Sequence, residues 1–226
     1  MPVRGLLLFD LDGTLVDAAP DLAASLNRLL AGLGAPPLSL SEATSFVGDG
    51  ARVLVRRALA ARGLDAPLDA ALARFLALYE AHLCEDSRLY PGVAEGLSAL
   101  AEAGWRLAVC TNKPQRHSEA LLAALGIADR FAAVAGGDRF AVRKPDRGHV
   151  DGTARLAALP EGPAVMIGDG VNDLLAARSA GIPGVWAAYG YGGPSAASAA
   201  EGCPRITAFA ELPAVLAAVQ PAGLCA

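Results

Sequence analysis

The chain has 226 residues, enough for one large domain or for a core carrying a smaller insertion. A hydrophobic content of 54% and a mean hydropathy of +0.38 provide for a sizeable buried core and argue against disorder. A formal charge of -4 and a pI near 5.4 leave no broad basic field for nucleic acid or an anionic membrane, so an anionic ligand must be held by a local site.

The first element is an apolar run, Leu6-Leu7-Leu8-Phe9, which stops at Asp10-Leu11-Asp12-Gly13-Thr14. The run has strand length, and a strand that ends in carboxylates delivers them to the edge of a parallel sheet, where open α/β folds place their ligands. Taken alone, an Asp-Gly turn explains these residues equally well. The interruption at Asp10 also makes the opening run too short for a signal peptide or a membrane span, and no later run reaches spanning length unbroken.

From residue 18 the period changes. Leu22, Leu26, Leu29, Leu30 and Leu33 recur at helical spacing up to Gly34 and Pro36-Pro37. Ser39 with Glu42 predicts a capping box and a short second helix. The loop Val47-Gly48-Asp49-Gly50 follows, then predicted helices over about 51–62 and 68–84. Residues 18–85 therefore read as four helices without an intervening strand.

Beyond Pro91-Gly92 the chain alternates. Helices are predicted at 93–103, 116–125, 149–159, 173–180 and about 209–219, and strands at 106–110, 131–135, 164–167 and 184–188. Residues 187–202, rich in Gly, Ser and Ala, read as loop. Alternation of this kind specifies an α/β fold with a Rossmann-like, doubly wound parallel sheet. The helical block interrupts it after the first strand, so the expected organisation is a core of 1–17 and 86–226 with an inserted helical lid over 18–85.

Four strand ends carry polar groups: Asp10 and Asp12; Thr111, Asn112 and Lys113; Arg143 and Lys144 in the loop after the third; and Gly168-Asp169-Gly170-Val171-Asn172-Asp173. In a parallel sheet these ends share one edge and converge. Asp10, Asp12, Asp169 and Asp173 cannot all stay ionised together without a counter-charge, and oxygen-only donors suit Mg²⁺. His82, His117 and His149 show no metal-ligand spacing and read as surface or structural residues. Only Lys113 and Lys144 among the 19 basic residues are lysines, and each precedes a proline, which points to a specific use for a compact ammonium.

Thr111, Asn112, the Lys144 ammonium and the close backbone approach allowed by Gly13 are suited to a phosphoryl group. With an acid nucleophile and a metal they describe phosphoryl transfer through an aspartyl-phosphate: Asp10 attacks phosphorus, while Asp12 protonates the leaving oxygen and then activates water. A helical lid would exclude water during the reaction.

At these residues the chain resembles the haloacid-dehalogenase-like hydrolases. Asp10-Leu11-Asp12-Gly13-Thr14 matches the family's first motif, Thr111 its second, Lys144 its third, and Gly168-Asp169 with Asn172-Asp173 its fourth. The resemblance implies Asp10 as nucleophile, Asp12 as acid/base, and Mg²⁺ held by Asp10, the Asp12 carbonyl and Asp169. It leaves Asp173 and Asn172 in support and makes the insert a C1 cap. Residues 20–26, the loop at Gly48, Asp49 and Gly50, and Tyr189-Gly190-Tyr191-Gly192 are similar to phosphoglycolate phosphatases, which implies 2-phosphoglycolate as substrate. The family usually has a second proline where Asp146-Arg147 follows Lys144-Pro145, and a serine where Gly170 stands.

Within the cap, Arg52 and the Gly48–Gly50 loop are candidates to meet a substrate carboxylate, a solvated Arg52 being the alternative. A sugar-phosphate phosphatase or mutase and a pyrophosphatase would use the same residues. A non-enzymatic phosphoacceptor switch fits less well, because its acidic pair would precede the acceptor Asp. Partners are expected to be small phosphorylated metabolites. The scattered Cys84, Cys110, Cys203 and Cys225 show no CxxC spacing and no CaaX ending, consistent with free thiols in the cytoplasm.

Overall fold

The structure is a computed structural model and describes residues 3–158 and 163–218. Cys225 and the predicted helix ends at 159 and 219 lie outside them.

Six strands form one parallel sheet: β1 (Gly5–Phe9), β4 (Trp105–Cys110), β5 (Ala133–Ala135), β6 (Ala164–Gly168), β7 (Gly184–Ala187) and β8 (Arg205–Ile206), in the order β5-β4-β1-β6-β7-β8. β1 is central, with Leu7 opposite Leu107 on one side and Val165 on the other. All five of its residues are buried, which explains why it reads as an unbroken apolar run. Its alternate side chains enter different cores. Leu7 and Phe9 join Leu107, Val109, Val165 and Ile167 on one face, whereas Leu6 and Leu8 join Ala108, Cys110 and Met166 on the other.

Helices cover both faces. α7 (Arg147–Leu156) and α8 (Val171–Ala180) supply Val150, Ala176 and Ala177 to the second core. α5 (Val93–Glu102), α6 (Gln115–Ala124) and α10 (Leu212–Ala218) supply Leu97, Leu100, Leu121, Leu122 and Leu216 to the first. This is the expected doubly wound α/β arrangement.

The inserted helices are α1 (Ala19–Gly32), α2 (Leu40–Thr44), α3 (Ala51–Ala61) and α4 (Leu68–Ala81). The predicted capping box is present: Ser39 Oγ accepts from the Glu42 N–H, and the Glu42 carboxylate accepts from the Ser39 N–H. Leu26, Leu29 and Leu30 of α1 pack with Leu54, Val55 and Ala58 of α3 and Phe75 and Tyr79 of α4.

The root of this cap is built twice over. The short strands β2 (Val16–Asp17) and β3 (Arg88–Leu89) pair antiparallel where the chain leaves and re-enters the core. Beside them the buried Asp21 carboxylate accepts from the Asp86 N–H, the Ser87 N–H and Ser87 Oγ at 2.8, 2.9 and 2.6 Å.

One expectation is corrected here. Residues 187–202 are not all loop, because Gly193–Ala199 forms helix α9. Pro194 lies in its first turn, where its missing N–H costs nothing, and alanines follow. No helix among the described residues is long and apolar enough to cross a membrane. Cys84 and Cys110 carry free thiols.

Candidate active site

Because the sheet is parallel, the C-terminal ends of β1, β4 and β6 put Asp10, Thr111 and Asp169 on one edge. The loop after β5 adds Lys144, and the first turn of α8 adds Asp173. Lys144 Nζ lies 2.9 Å from Asp10 Oδ1 and 2.5 Å from Asp173 Oδ1, with all three residues buried. The other Asp173 oxygen accepts from the Gly170 N–H at 2.9 Å. Gly168 makes room for it, since a Cβ there would overlap the Asp173 side chain.

The charges at this edge perturb one another strongly. Burial alone would lower the Lys144 ammonium, but Asp10 and Asp173 overcome it and hold it above the ordinary lysine value. Asp173 is pushed up to about 6, mainly by burial and against the pull of Lys144. Asp169 rises well above the carboxylate range through burial, then Asp10 and Asp173. Oxygen atoms of Asp10, Asp169 and Asp173 lie within 4.8 Å of one another. Carboxylate oxygens that share so little positive charge fit a hard cation such as Mg²⁺.

Asp169 is fixed from several sides. Its carboxylate accepts from Thr14 Oγ1 at 2.9 Å and the Tyr191 N–H at 2.8 Å, and its carbonyl accepts from Trp186 Nε1 at 3.1 Å. Gly13, at φ +88°, packs so closely that a Cβ would stand 2.5 Å from Asp169 Oδ2. The Tyr191 hydroxyl donates to Asp17 at 2.6 Å and accepts from the Ala19 N–H, which ties this loop to the start of the cap.

Asp12 takes a different partner from Asp10. Lys113 Nζ sits 3.0 Å from each of its carboxylate oxygens. Burial raises the Asp12 carboxyl against the opposing pull of Lys113, with Asp10 raising it further. Thr111 Oγ1 accepts from the Lys113 N–H.

The Asn112 side chain is committed elsewhere: its amide donates to the carbonyls of Gly48 and Lys144, each at 3.1 Å. Asn172 likewise donates to Gly48 O and to Asp49 Oδ1, at 3.2 and 2.8 Å. The two core asparagines thereby grip the cap loop, and Gly48, Asp49 and Gly50 line the cavities beside Asp10 and Asp12.

Arg52 does not. It pairs with Asp69 across exposed faces of α3 and α4 and lines neither of the two cavities that Asp10 and Asp12 line. The cap cation at the site is Arg57, which bonds Asp49 at 2.6 Å and the Phe46 carbonyl at 3.0 Å. With Asp10, Asp12, Asp49 and Asp169 it lines a cavity of about 370 Å³ between cap and core.

Asp146 and Arg147 do not face this cavity either. Asp146 caps α7 through the Gly148 N–H, and Arg147 pairs with Asp151.

Reading the sequence alone gives no specific role to Thr14, Arg57 or Tyr191, marks Lys113 without assigning its partner, and takes His149 as a surface or structural residue. The scarcity of lysine is a signal for Lys113. His149, buried in α7, accepts the Lys144 N–H and so seats the lysine's backbone.

A family model described as haloacid dehalogenase-like hydrolase matches residues 5–181. A phosphoglycolate phosphatase of Agrobacterium fabrum is 45% identical over 193 residues, covering 84% of this chain and 83% of its own. One from Caulobacter vibrioides is 47% identical over 190 residues, covering 82% and 79%. A crystal structure described as a predicted phosphoglycolate phosphatase from Haemophilus somnus superposes with a TM-score of 0.87 at 33% identity, covering 94% of this chain and 98% of the other.

Proposed function

Because the chain belongs to the haloacid dehalogenase-like hydrolases, we propose that it is a Mg²⁺-dependent phosphatase acting on a small phosphate monoester, 2-phosphoglycolate first of all. The observation that carries this reading is the Lys144 ammonium bridging Asp10 and Asp173 beside Asp12 and Asp169. It supports a reading in which a nucleophile, a proton carrier and positive charge share one sheet edge.

In this reading Lys144, Thr111 and the Asn112 backbone N–H bind the phosphoryl oxygens, whereas the Gly13 N–H is taken by the Val16 carbonyl at 2.8 Å. Asp10, its carboxylate oriented by Lys144, attacks phosphorus in line. Asp12 gives its proton to the departing alkoxide as the P–O bond breaks. It then takes a proton from the water that attacks the aspartyl-phosphate and releases inorganic phosphate. The raised Asp12 carboxyl suits the acid half of that cycle, because a carboxylic acid with an ordinary pKa holds no proton at neutral pH. Asp10 and Asp169, with the Asp12 carbonyl, would hold Mg²⁺, which supplies charge neutralisation for the phosphoryl group. Asp173 supports the site by fixing Lys144.

Arg57 is the cap group suited to a substrate carboxylate, and the cavity's size matches a small metabolite better than a macromolecular substrate. We place the cap at 18–85 and the catalytic core at 1–17 and 86–226, acting in the cytoplasm. The test is phosphate release with Mg²⁺ from phosphoglycolate, hexose phosphates, nucleoside monophosphates and pyrophosphate. Phosphoglycolate should be turned over with the highest kcat/KM. Preference for a hexose phosphate or pyrophosphate would replace the substrate assignment.

A further inference from the structure

The Lys113 ammonium has three N–H donors and three acceptors: Asp12 Oδ1 and Oδ2, each at 3.0 Å, and the Tyr79 hydroxyl at 2.8 Å. Asp12 and Lys113 belong to the core, whereas Tyr79 comes from α4 of the cap. Lys113 is 5% exposed and Tyr79 2%. Among the described residues no other hydrogen-bond donor reaches the Asp12 carboxylate, so Lys113 alone sets its direction.

Tyr79 in turn is closely packed. Its ring stacks on Phe75 at 6.1 Å and 4° from parallel and lies 5.7 Å from the His117 ring. The ammonium also sits 4.5 Å from the centre of the Tyr79 ring. The hydroxyl therefore cannot leave Lys113 unless α4 moves.

We propose that Tyr79 is a positioning residue of the cap, whose hydroxyl fixes the Lys113 ammonium on both oxygens of Asp12 so that the seating of α4 sets the orientation of the acid/base carboxylate. The inference rests on the acid/base role proposed for Asp12. Removing the hydroxyl frees one of the three ammonium donors, and the flexible lysine stem then no longer holds Asp12 in one place. A proton carrier displaced by about 1 Å can lose on the order of 10²-fold in rate, and the effect falls on the step that moves the proton.

Tyr79→Phe tests this in the full chain, because it keeps the ring, its stacking and its packing. Rapid-quench kinetics with Mg²⁺ would follow leaving-group release from phosphoglycolate, whose alkoxide needs a proton, and from p-nitrophenyl phosphate, whose phenolate departs without one. Glycolate release should slow by about tenfold or more with KM changed less than about twofold, while the p-nitrophenol burst keeps its rate. Lys113→Met should reproduce the pattern. Equal slowing of both substrates, or no slowing of either, would overturn the proposal. A rise in KM confined to phosphoglycolate would overturn it too, making Lys113 a reader of the substrate carboxylate. Asp12→Asn run alongside separates the two levels. If it leaves glycolate release at full speed, the Asp12 assignment falls and the proposal with it. If it slows release and Tyr79→Phe does not, only the proposal falls.

Discussion

His149 Nδ1 accepts the backbone N–H of Lys144 at 3.1 Å, while Nε2 faces the Ala135 carbonyl at 3.3 Å. These partners specify the neutral ring with its proton on Nε2. A second proton on Nδ1 would break the bond that seats Lys144.

Burial, then the Lys144 charge, lowers His149 from an ordinary 6.5 to about 4. Between those values the unfolded chain binds the proton and the folded chain does not, so stability is full above 6.5 and falls as pH drops toward 4. The loss is roughly 3 kcal/mol once the lower value is reached. Denaturant unfolding near pH 7 and near about pH 4.5 should show wild type losing about 2–3 kcal/mol more than His149→Gln, which keeps an acceptor without titrating. Parallel losses would remove His149 as the source.

Gly190 is pressed against Asp169, the acid proposed to hold Mg²⁺, and a Cβ there would overlap the Gly13 carbonyl and the Asp169 side chain. Gly190→Ala should cost about 1–3 kcal/mol from overpacking. It should also weaken Mg²⁺ binding by about tenfold, because Asp169 must shift. Unfolding and metal titration measure the two effects separately.

Arg52 and Arg57 lie on the same helix with opposite consequences. Arg52→Ala removes an exposed ion pair with Asp69 and should change stability by less than about 1 kcal/mol and KM for phosphoglycolate by less than about twofold. Arg57→Ala should raise that KM by about tenfold or more, and KM for a neutral sugar phosphate by less than about threefold. Equal effects on both substrates would leave Arg57 as a brace for the Gly48–Gly50 loop.

The contrast between these arginines shows what the sequence conveys and what it does not. Five helical positions turn the side chain by about 140°, so without knowing which face of α3 meets the core, either arginine could be assigned to the site. Asp10, Thr111 and Asp169 were legible because each follows an apolar strand, and parallel strands bring their C-terminal ends to one edge, whereas Lys144, in the loop after β5, stood out as one of only two lysines. Val16–Asp17 and Arg88–Leu89 were not, since a two-residue strand has no period and exists only through its pairing across the whole insert. The Tyr79 contact with Lys113 was hidden for a related reason. Tyr79 fits the apolar face of α4 with Phe75, and nothing in that pattern reveals what its hydroxyl meets.

Asp10 is the residue proposed to carry the phosphoryl group. Rapid quenching of the enzyme with Mg²⁺ and phosphoglycolate, followed by peptide mass analysis and borohydride reduction, tests it most directly. A transient phosphoryl mass on the peptide containing Asp10 is expected, with its conversion to homoserine at that position and turnover reduced by at least about 10³-fold in Asp10→Asn. Phosphate release at full rate with no label on Asp10, or near-normal turnover by Asp10→Asn, would contradict it.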